Sequence, residues 1–177
     1  RNGDKPLVGN DPVKPNEKYF LFVDSLIRLA AKKGLYIGLL PTWGDKVDKA
    51  GWGKGPVIFT PENAAKYGSF LGKRYKDFPN IIWINGGDRS GGTDAAGTGD
   101  NFPVWDALGR SIKTADPNHL MTYHPWGEKG SSAWFHHCDW LDFNMMQTGH
   151  GQRSYAIYRM IRDDYNRTPV KPCMDGE

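Results

Sequence analysis

Ile81-Ile82-Trp83-Ile84-Asn85-Gly86-Gly87-Asp88 decides the fold. Four apolar residues without polar alternation read as a strand buried on both faces, the pattern of a parallel sheet. Two glycines end the strand, and a carboxylate follows directly. Lys171-Pro172-Cys173-Met174-Asp175-Gly176-Glu177 has the same plan, a short buried-looking strand running into glycine and then an acid. Two carboxylates carried on the C-terminal ends of two strands are what glycoside hydrolysis requires.

The same alternation extends outward in both directions. Asn16 opens a helix over 16–33, with Tyr19, Phe20, Phe22, Val23, Leu26, Ile27, Leu29 and Ala30 at helical spacing. Gly34 stands where a C-terminal glycine belongs. Residues 35–40 read as a strand buried on both faces, closed by Pro41-Thr42-Trp43-Gly44. Thr60 is an N-cap with Pro61 at the first helical position, and this helix runs to about residue 75. The strand over 81–85 leads into a Gly-rich polar loop over 86–102, of the length and composition that usually carries function. A helix over 103–114, a strand over 120–123, a short helix over 131–140, a strand over 141–146, a helix over 154–165 and a strand over 168–174 complete the order.

Helices alternating with apolar strands predict an α/β fold with a parallel sheet and right-handed crossovers. The residue-rich loops all follow strands, whereas the helix-to-strand links are short. That asymmetry favours a (β/α)8 TIM barrel whose functional face is the C-terminal one. Five strands are read where a barrel has eight, so residues 1–177 are expected to be one partial barrel domain, an incomplete fragment covering about strands 3 to 7. Such a piece leaves two sheet edges unpaired and is expected to aggregate without its missing strands.

Composition excludes several classes. The chain is 38% hydrophobic and 24% charged, as a folded domain is. A net charge of +3 does not argue for nucleic acid, and no apolar run is long enough for a membrane span. GxxxxGK[ST], GxGxxG and GxSxG are all absent, and no cofactor is implied. Cys138 and Cys173 read as unpaired structural thiols. His136-His137-Cys138-Asp139 resembles a metal cluster, but adjacent side chains on a short helix diverge, so no metal is expected.

Asp88 and Glu177 are the candidate catalytic pair. A general acid must stay protonated, and an ionised Glu177 in the same mouth supplies the like charge that favours this in Asp88. Gly86 and Gly87 are expected to leave room for a sugar ring beside Asp88. A separation of about 5–5.5 Å between the carboxyls marks a retaining enzyme, and about 6.5–9.5 Å an inverting one. Trp43 and Trp126 are candidate stacking platforms for a sugar. Asn85, Tyr123, His124, Gln147 and His150 stand at strand ends, where they can bind hydroxyls or orient the carboxylates. Trp83, inside its strand, reads as core.

Pro41-Thr42-Trp43-Gly44, Ile82-Trp83-Ile84-Asn85-Gly86-Gly87-Asp88, Tyr123-His124-Pro125, Met146-Gln147-Thr148-Gly149-His150 and Asp175-Gly176-Glu177, in that order, resemble the apiosidase-like glycoside hydrolases, family 140 and its relatives. Gly9-Asn10-Asp11-Pro12 and Pro15-Asn16-Glu17 look like the family's loop and helix after its second strand, so the resemblance spans the chain. It implies a barrel with catalytic carboxylates after strands four and seven, Asp88 as acid/base and Glu177 as nucleophile. The substrate it implies is a plant pectic polysaccharide or oligosaccharide. It also implies a secreted or periplasmic protein, with the remaining strands and a C-terminal β-domain elsewhere in the full-length chain. The wider clan of retaining barrel glycosidases has Asn-Glu after strand four, where this chain has Gly87-Asp88. A non-catalytic carbohydrate-binding barrel and a metal-dependent hydrolase are the alternative readings.

Overall fold

The computed structural model of the chain describes residues 3–50, 53–93, 97, 99–151 and 156–177. The helices are α1 (Glu17–Lys32), α2 (Pro61–Tyr75), α3 (Phe102–Ala115), the short α4 (Ser132–Phe135) and α5 (Ile157–Tyr165). Strands β1 (Ile37–Leu39), β2 (Ile81–Gly86) and β3 (Met121–His124) form a parallel sheet in chain order. A second sheet has β5 (Asn144–Gln147) between a two-residue antiparallel β4 (Lys129–Gly130) and a parallel β6 (Cys173–Asp175).

The two sheets meet at β3 and β5. The Asp142 amide donates to Met121 O at 2.9 Å, and Thr122 Oγ1 donates to Phe143 O at 2.7 Å. The Asp142 carboxylate accepts from the Met121 amide and from Lys113 Nζ, each at 2.7 Å. A parallel trio and then a parallel pair thus follow one another in sequence order. The result is a mixed α/β fold with parallel strands, consistent with part of a glycoside hydrolase barrel.

Local chemistry explains the helix ends. The Asn16 side chain accepts from the Lys18 amide, and Gly34 takes φ +69° just past α1. Thr60 and Asn63 form a reciprocal capping box at α2, at 3.3 and 2.8 Å. Arg74 on α2 reaches α1, with two bonds of 2.8 Å to Glu17 and two, of 2.8 and 3.0 Å, to the buried Asp24.

The helices close over the sheet on an aromatic core. Tyr75, Trp83, Trp105, Tyr123, Phe135 and Trp140 are all buried. Burying one such side chain contributes about 1.5–3 kcal/mol. Trp83 is core, as expected, and its indole donates to the buried Asp116 at 2.8 Å. Helices α2 and α3 approach closely because α2 carries Gly68 and Gly72. A Cβ on Gly68 would lie 2.1 Å from Ser111 Oγ and 2.8 Å from Leu108 O. Cys138 and Cys173 are free thiols. Among the described residues no helix is long and apolar enough to cross a membrane.

Several expectations need correction. The strand at 35–40 is shorter and is not buried on both faces: Leu35 and Tyr36 are 59% and 68% exposed. It is an edge strand, with β2 its only partner among the described residues. The last strand, expected to be buried, is half-buried at Cys173 and exposed at Met174 and Asp175. On α1 only Phe20, Asp24 and Ile27 are buried, while Leu21, Phe22, Leu26 and Leu29 face outward. Apolar spacing reports a helix face but not whether anything covers it. The helix expected over 131–140 shrinks to one turn, and β4 has no apolar pattern from which to read it. Ser154 and Tyr155, assigned to the helix over 154–165, lie outside the described residues.

Gly68→Ala is expected to destabilise the fold by about 1–3 kcal/mol through overpacking between α2 and α3; a denaturant midpoint unchanged from wild type would refute this. Burial, and then the nearby Asp106, push the Cys138 thiol up to about 11 from 9.0. The folded state therefore holds this proton more tightly than the unfolded chain. Its contribution is complete below pH 9 and is lost as pH rises towards 11. The fall in thermal midpoint across that window is expected to be smaller in Cys138→Ala.

Candidate active site

The C-terminal ends of the strands are joined by a ladder that outruns the strands themselves. Beyond β1, the Gly44 amide donates to Gly87 O at 3.1 Å; beyond β2, the Gly87 amide donates to His124 O at 3.1 Å. Contact this close excludes side chains. A Cβ on Gly44 would lie 2.2 Å from Gly87 O, and one on Gly87 would lie 2.9 Å from both Gly44 N and Trp43 Cε3. Gly86 and Gly87 also take φ +91° and +132°, conformations that side chains resist. The space beside Asp88 is thus filled by Trp43, Tyr123 and the His124 main chain. The expected room for a sugar at the two glycines is not there. Asp88 itself takes φ +59°, uncommon for a residue with a side chain.

A parallel arrangement holds Glu177. The Gly176 amide donates to Met146 O at 2.9 Å and the Thr148 amide to Glu177 O at 2.9 Å. A Cβ on Gly176 would lie 1.8 Å from Met145 Cε, so glycine permits the strand end to lie down on β5. The Glu177 carboxylate then stands between two imidazoles. His124 Nε2 is 3.0 Å from Oε2, and His150 Nε2 is 2.7 Å from Oε1. His124 is buried, whereas His150 is exposed. Through its other nitrogen, His124 lies 3.4 Å from the Asp88 amide. One ring therefore touches both acid-bearing segments. The Trp43 indole packs on it, with ring centroids 5.8 Å apart, and is 40% exposed.

Trp43, Asp88, His124, His150 and Glu177 are brought together around this ring. Asn85 and Tyr123 lie beneath them, fully buried. The Asn85 side chain donates to Trp105 O at 3.0 Å, and Tyr123 Oη donates to Arg89 O at 3.0 Å. In this structure both are occupied by the scaffold. Burial holds the Tyr123 hydroxyl well above the usual phenol range, so it stays a neutral donor. Gln147 is buried, with its side-chain oxygen unpartnered among the described residues. Trp126 is half-buried after β3, and among the described residues no ring contact joins it to Trp43 or His124. Among the described residues no three His, Cys, Asp or Glu side chains converge as metal ligands.

Arg89 was missed in the sequence. It is 1% exposed and lies directly behind Asp88. Its Nη1 donates to Asp88 O at 2.8 Å, and its Nε donates to Asp48 O at 3.3 Å. The Asp48 carboxylate accepts from Asn101 Nδ2 at 3.1 Å. Arg89 thus pins the acid-bearing loop to the loop after β1 and to the start of α3. An arginine adjoining a candidate acid was the available signal, but charge in a polar loop reads as solvated.

Strand-end carboxylates on a parallel α/β sheet, packed with imidazole and indole, define a glycoside hydrolase-type domain. The chain belongs to the apiosidase-like family, whose catalytic-domain description matches residues 1–177. It is similar to a solved glycoside hydrolase family 5 protein from Bacteroides vulgatus ATCC 8482. The identity is 40% and the TM-score 0.76, over 90% of this chain and 34% of that one. A second solved structure, a glycoside hydrolase, is 41% identical with a TM-score of 0.76, over 90% of this chain and 36% of that one. The chain spans about a third of the length of these structures. No curated protein matches it.

Arg89→Met is expected to strand the buried carbonyl of Asp48, worth about 1–3 kcal/mol when unsatisfied, and to release the part-buried carbonyl of Asp88. Chemical denaturation should show the loss; a wild-type midpoint would remove the role assigned to Arg89.

Proposed function

We propose that this domain belongs to a retaining glycoside hydrolase acting on plant pectic saccharides, with Asp88 as acid/base and Glu177 as nucleophile. The observation that carries the reading is the Glu177 carboxylate held at 3.0 and 2.7 Å by His124 and His150, on a ring that also meets the Asp88 amide. In the first step a Glu177 carboxylate oxygen forms a bond to the anomeric carbon. The bond from that carbon to the leaving oxygen breaks, and the Asp88 carboxyl proton passes to that oxygen. In the second step Asp88, now ionised, takes a proton from water as the water oxygen displaces Glu177. The two donors flanking Glu177 order the carboxylate before attack. Trp43, its indole part exposed beside the ring, is the nearest platform for a sugar face.

Strands β1, β2, β3, β5 and β6 are read as about strands 3 to 7 of a barrel. The outward apolar side chains at the two ends of the fold suit further strands and helices of a longer chain. These are Leu21, Leu29 and Leu35 at one end, and Tyr158, Tyr165, Val170 and Met174 at the other. A polysaccharide substrate suits a secreted or periplasmic enzyme.

The test uses the full-length enzyme and apiose-containing pectic oligosaccharides. Asp88→Ala and Glu177→Ala are each expected to lower kcat/KM by at least about 100-fold. Azide should then yield a glycosyl azide of retained configuration from the Asp88 variant and of inverted configuration from the Glu177 variant. Wild-type turnover in either variant would sink the assignment.

A further inference from the structure

Among the polar side chains at the strand ends, Gln147 is the one that the scaffold leaves uncommitted. Asn85 and Tyr123 are bonded to main-chain carbonyls, and His124 and His150 meet Glu177. Gln147 is 5% exposed, and its Oε1 is sealed from solvent with no partner among the described residues. Its Nε2 also makes no hydrogen bond among the described residues, but it is not sealed as Oε1 is. A buried acceptor without a donor costs stability, and native folds keep few of them. Where a fold breaks such a rule beside a site, function is the usual reason.

The main chain of Gln147 is fixed on both edges. On one, the Glu128 amide donates to Gln147 O at 2.8 Å. On the other, the Gly176 amide donates to Met146 O and the Thr148 amide to Glu177 O, each at 2.9 Å. The direction of the side chain follows from the strand. Asn144 meets His136, at the end of α4, at 3.2 Å and so faces the helices. Side chains alternate along a strand, so Gln147, three residues on, faces away from the helices. On β3, Tyr123 packs against Trp105 and Phe135 on the helix side, and the next residue, His124, faces away from them and meets Glu177. Gln147 and His124 therefore share the side of the fold on which the Glu177 carboxylate is held. Adjacent strands lie about 4.8 Å apart, so the Gln147 carboxamide and the Glu177 carboxylate start one strand spacing from each other.

We propose that Gln147 binds a hydroxyl of the sugar ring that Glu177 attacks, its Nε2 donating to the hydroxyl oxygen. The inference rests on the reading of Glu177 as the nucleophile of a glycosidase. A carboxamide both donates and accepts, as a hydroxyl does, and it carries no charge that would select an acid or an amine. Its main chain is tied to the Glu177 segment, so Gln147 reads the ring that bonds Glu177 and not the departing group. That contact is kept through both half-reactions.

Stability and turnover separate this role from a structural one in the full-length enzyme. Gln147→Met keeps the length of the side chain and removes both polar ends. Its denaturant midpoint is expected to equal or exceed that of wild type, because no partner is stranded and an orphaned acceptor is lost. Its kcat/KM on apiose-containing pectic oligosaccharides is expected to fall at least about 10-fold. The same factor is expected on a dinitrophenyl apioside, because the leaving group is not what Gln147 reads. A lowered midpoint with turnover unchanged would make the residue structural and overturn the proposal. So would a loss seen on the oligosaccharide but not on the aryl apioside, which would assign the contact to the leaving group. A readout free of turnover uses the Glu177→Ala protein labelled with 15N-glutamine. The Gln147 side-chain amide signals are expected to shift as the oligosaccharide is added. Unmoved signals at saturation would overturn the proposal whatever the stability of the Gln147 variant. Loss of turnover in Glu177→Ala with none in Gln147→Met would leave the glycosidase reading standing and remove Gln147 from it. Wild-type turnover in Glu177→Ala would instead sink the nucleophile assignment, and this proposal with it.

Discussion

The ladder from Gly44 to Gly87 to His124 is the constraint on which the candidate site depends. Parallel strands end at different heights, and loops ordinarily diverge from there. Here two main-chain bonds of 3.1 Å carry the pairing past the last strand residues. The loops after β1, β2 and β3 are therefore held at backbone contact. Every other feature of the site follows: Trp43 lies on Gly87, the His124 ring reaches the Asp88 amide, and Arg89 fills the space beneath Gly44. None of this survives a Cβ at Gly44 or Gly87. Glycine here serves close approach between main chains, where its sequence context had suggested an opening for ligand.

The second constraint is the burial of Arg89. A guanidinium removed from water is tolerated only when carbonyls or carboxylates receive its protons. Asp48 O and Asp88 O do so, and the Tyr123 hydroxyl completes the cluster by donating to Arg89 O. Two loops thus converge on one cation. The left-handed backbone at Asp88 follows from that convergence, because the residue is held from behind by Arg89 and from ahead by Gly87. Conformations of this kind cost about 1–3 kcal/mol and persist where the surroundings over-determine them.

Much of the fold was legible because its signals are local. The capping box at Thr60 and Asn63, the left-handed Gly34 and the run Ile81-Ile82-Trp83-Ile84 each depend on residues a few positions apart. The strand-to-glycine-to-acid endings likewise placed Asp88 and Glu177 on loops that one imidazole connects. What could not be read depends on distant partners. Leu35, Tyr36 and the outer face of α1 are apolar in pattern yet exposed, because what covers a face leaves no trace in periodicity. Asn85 and Tyr123 have polar groups suited to sugars, but Trp105 O and Arg89 O lie within reach and take those bonds. Side-chain type limits what a residue can bond; only the packing decides what it meets.

His124 shows how the scaffold and the chemistry are joined. Its carbonyl belongs to the ladder, accepting from Gly87, while its ring belongs to the carboxylates. Main-chain anchorage limits how far the imidazole can travel. A longer, flexible side chain such as lysine could also bond Glu177, but it has no second nitrogen with which to address the neighbouring loop. A histidine at the end of β3 offers two distinct nitrogens on one rigid ring, one facing Glu177 and one facing the Asp88 amide.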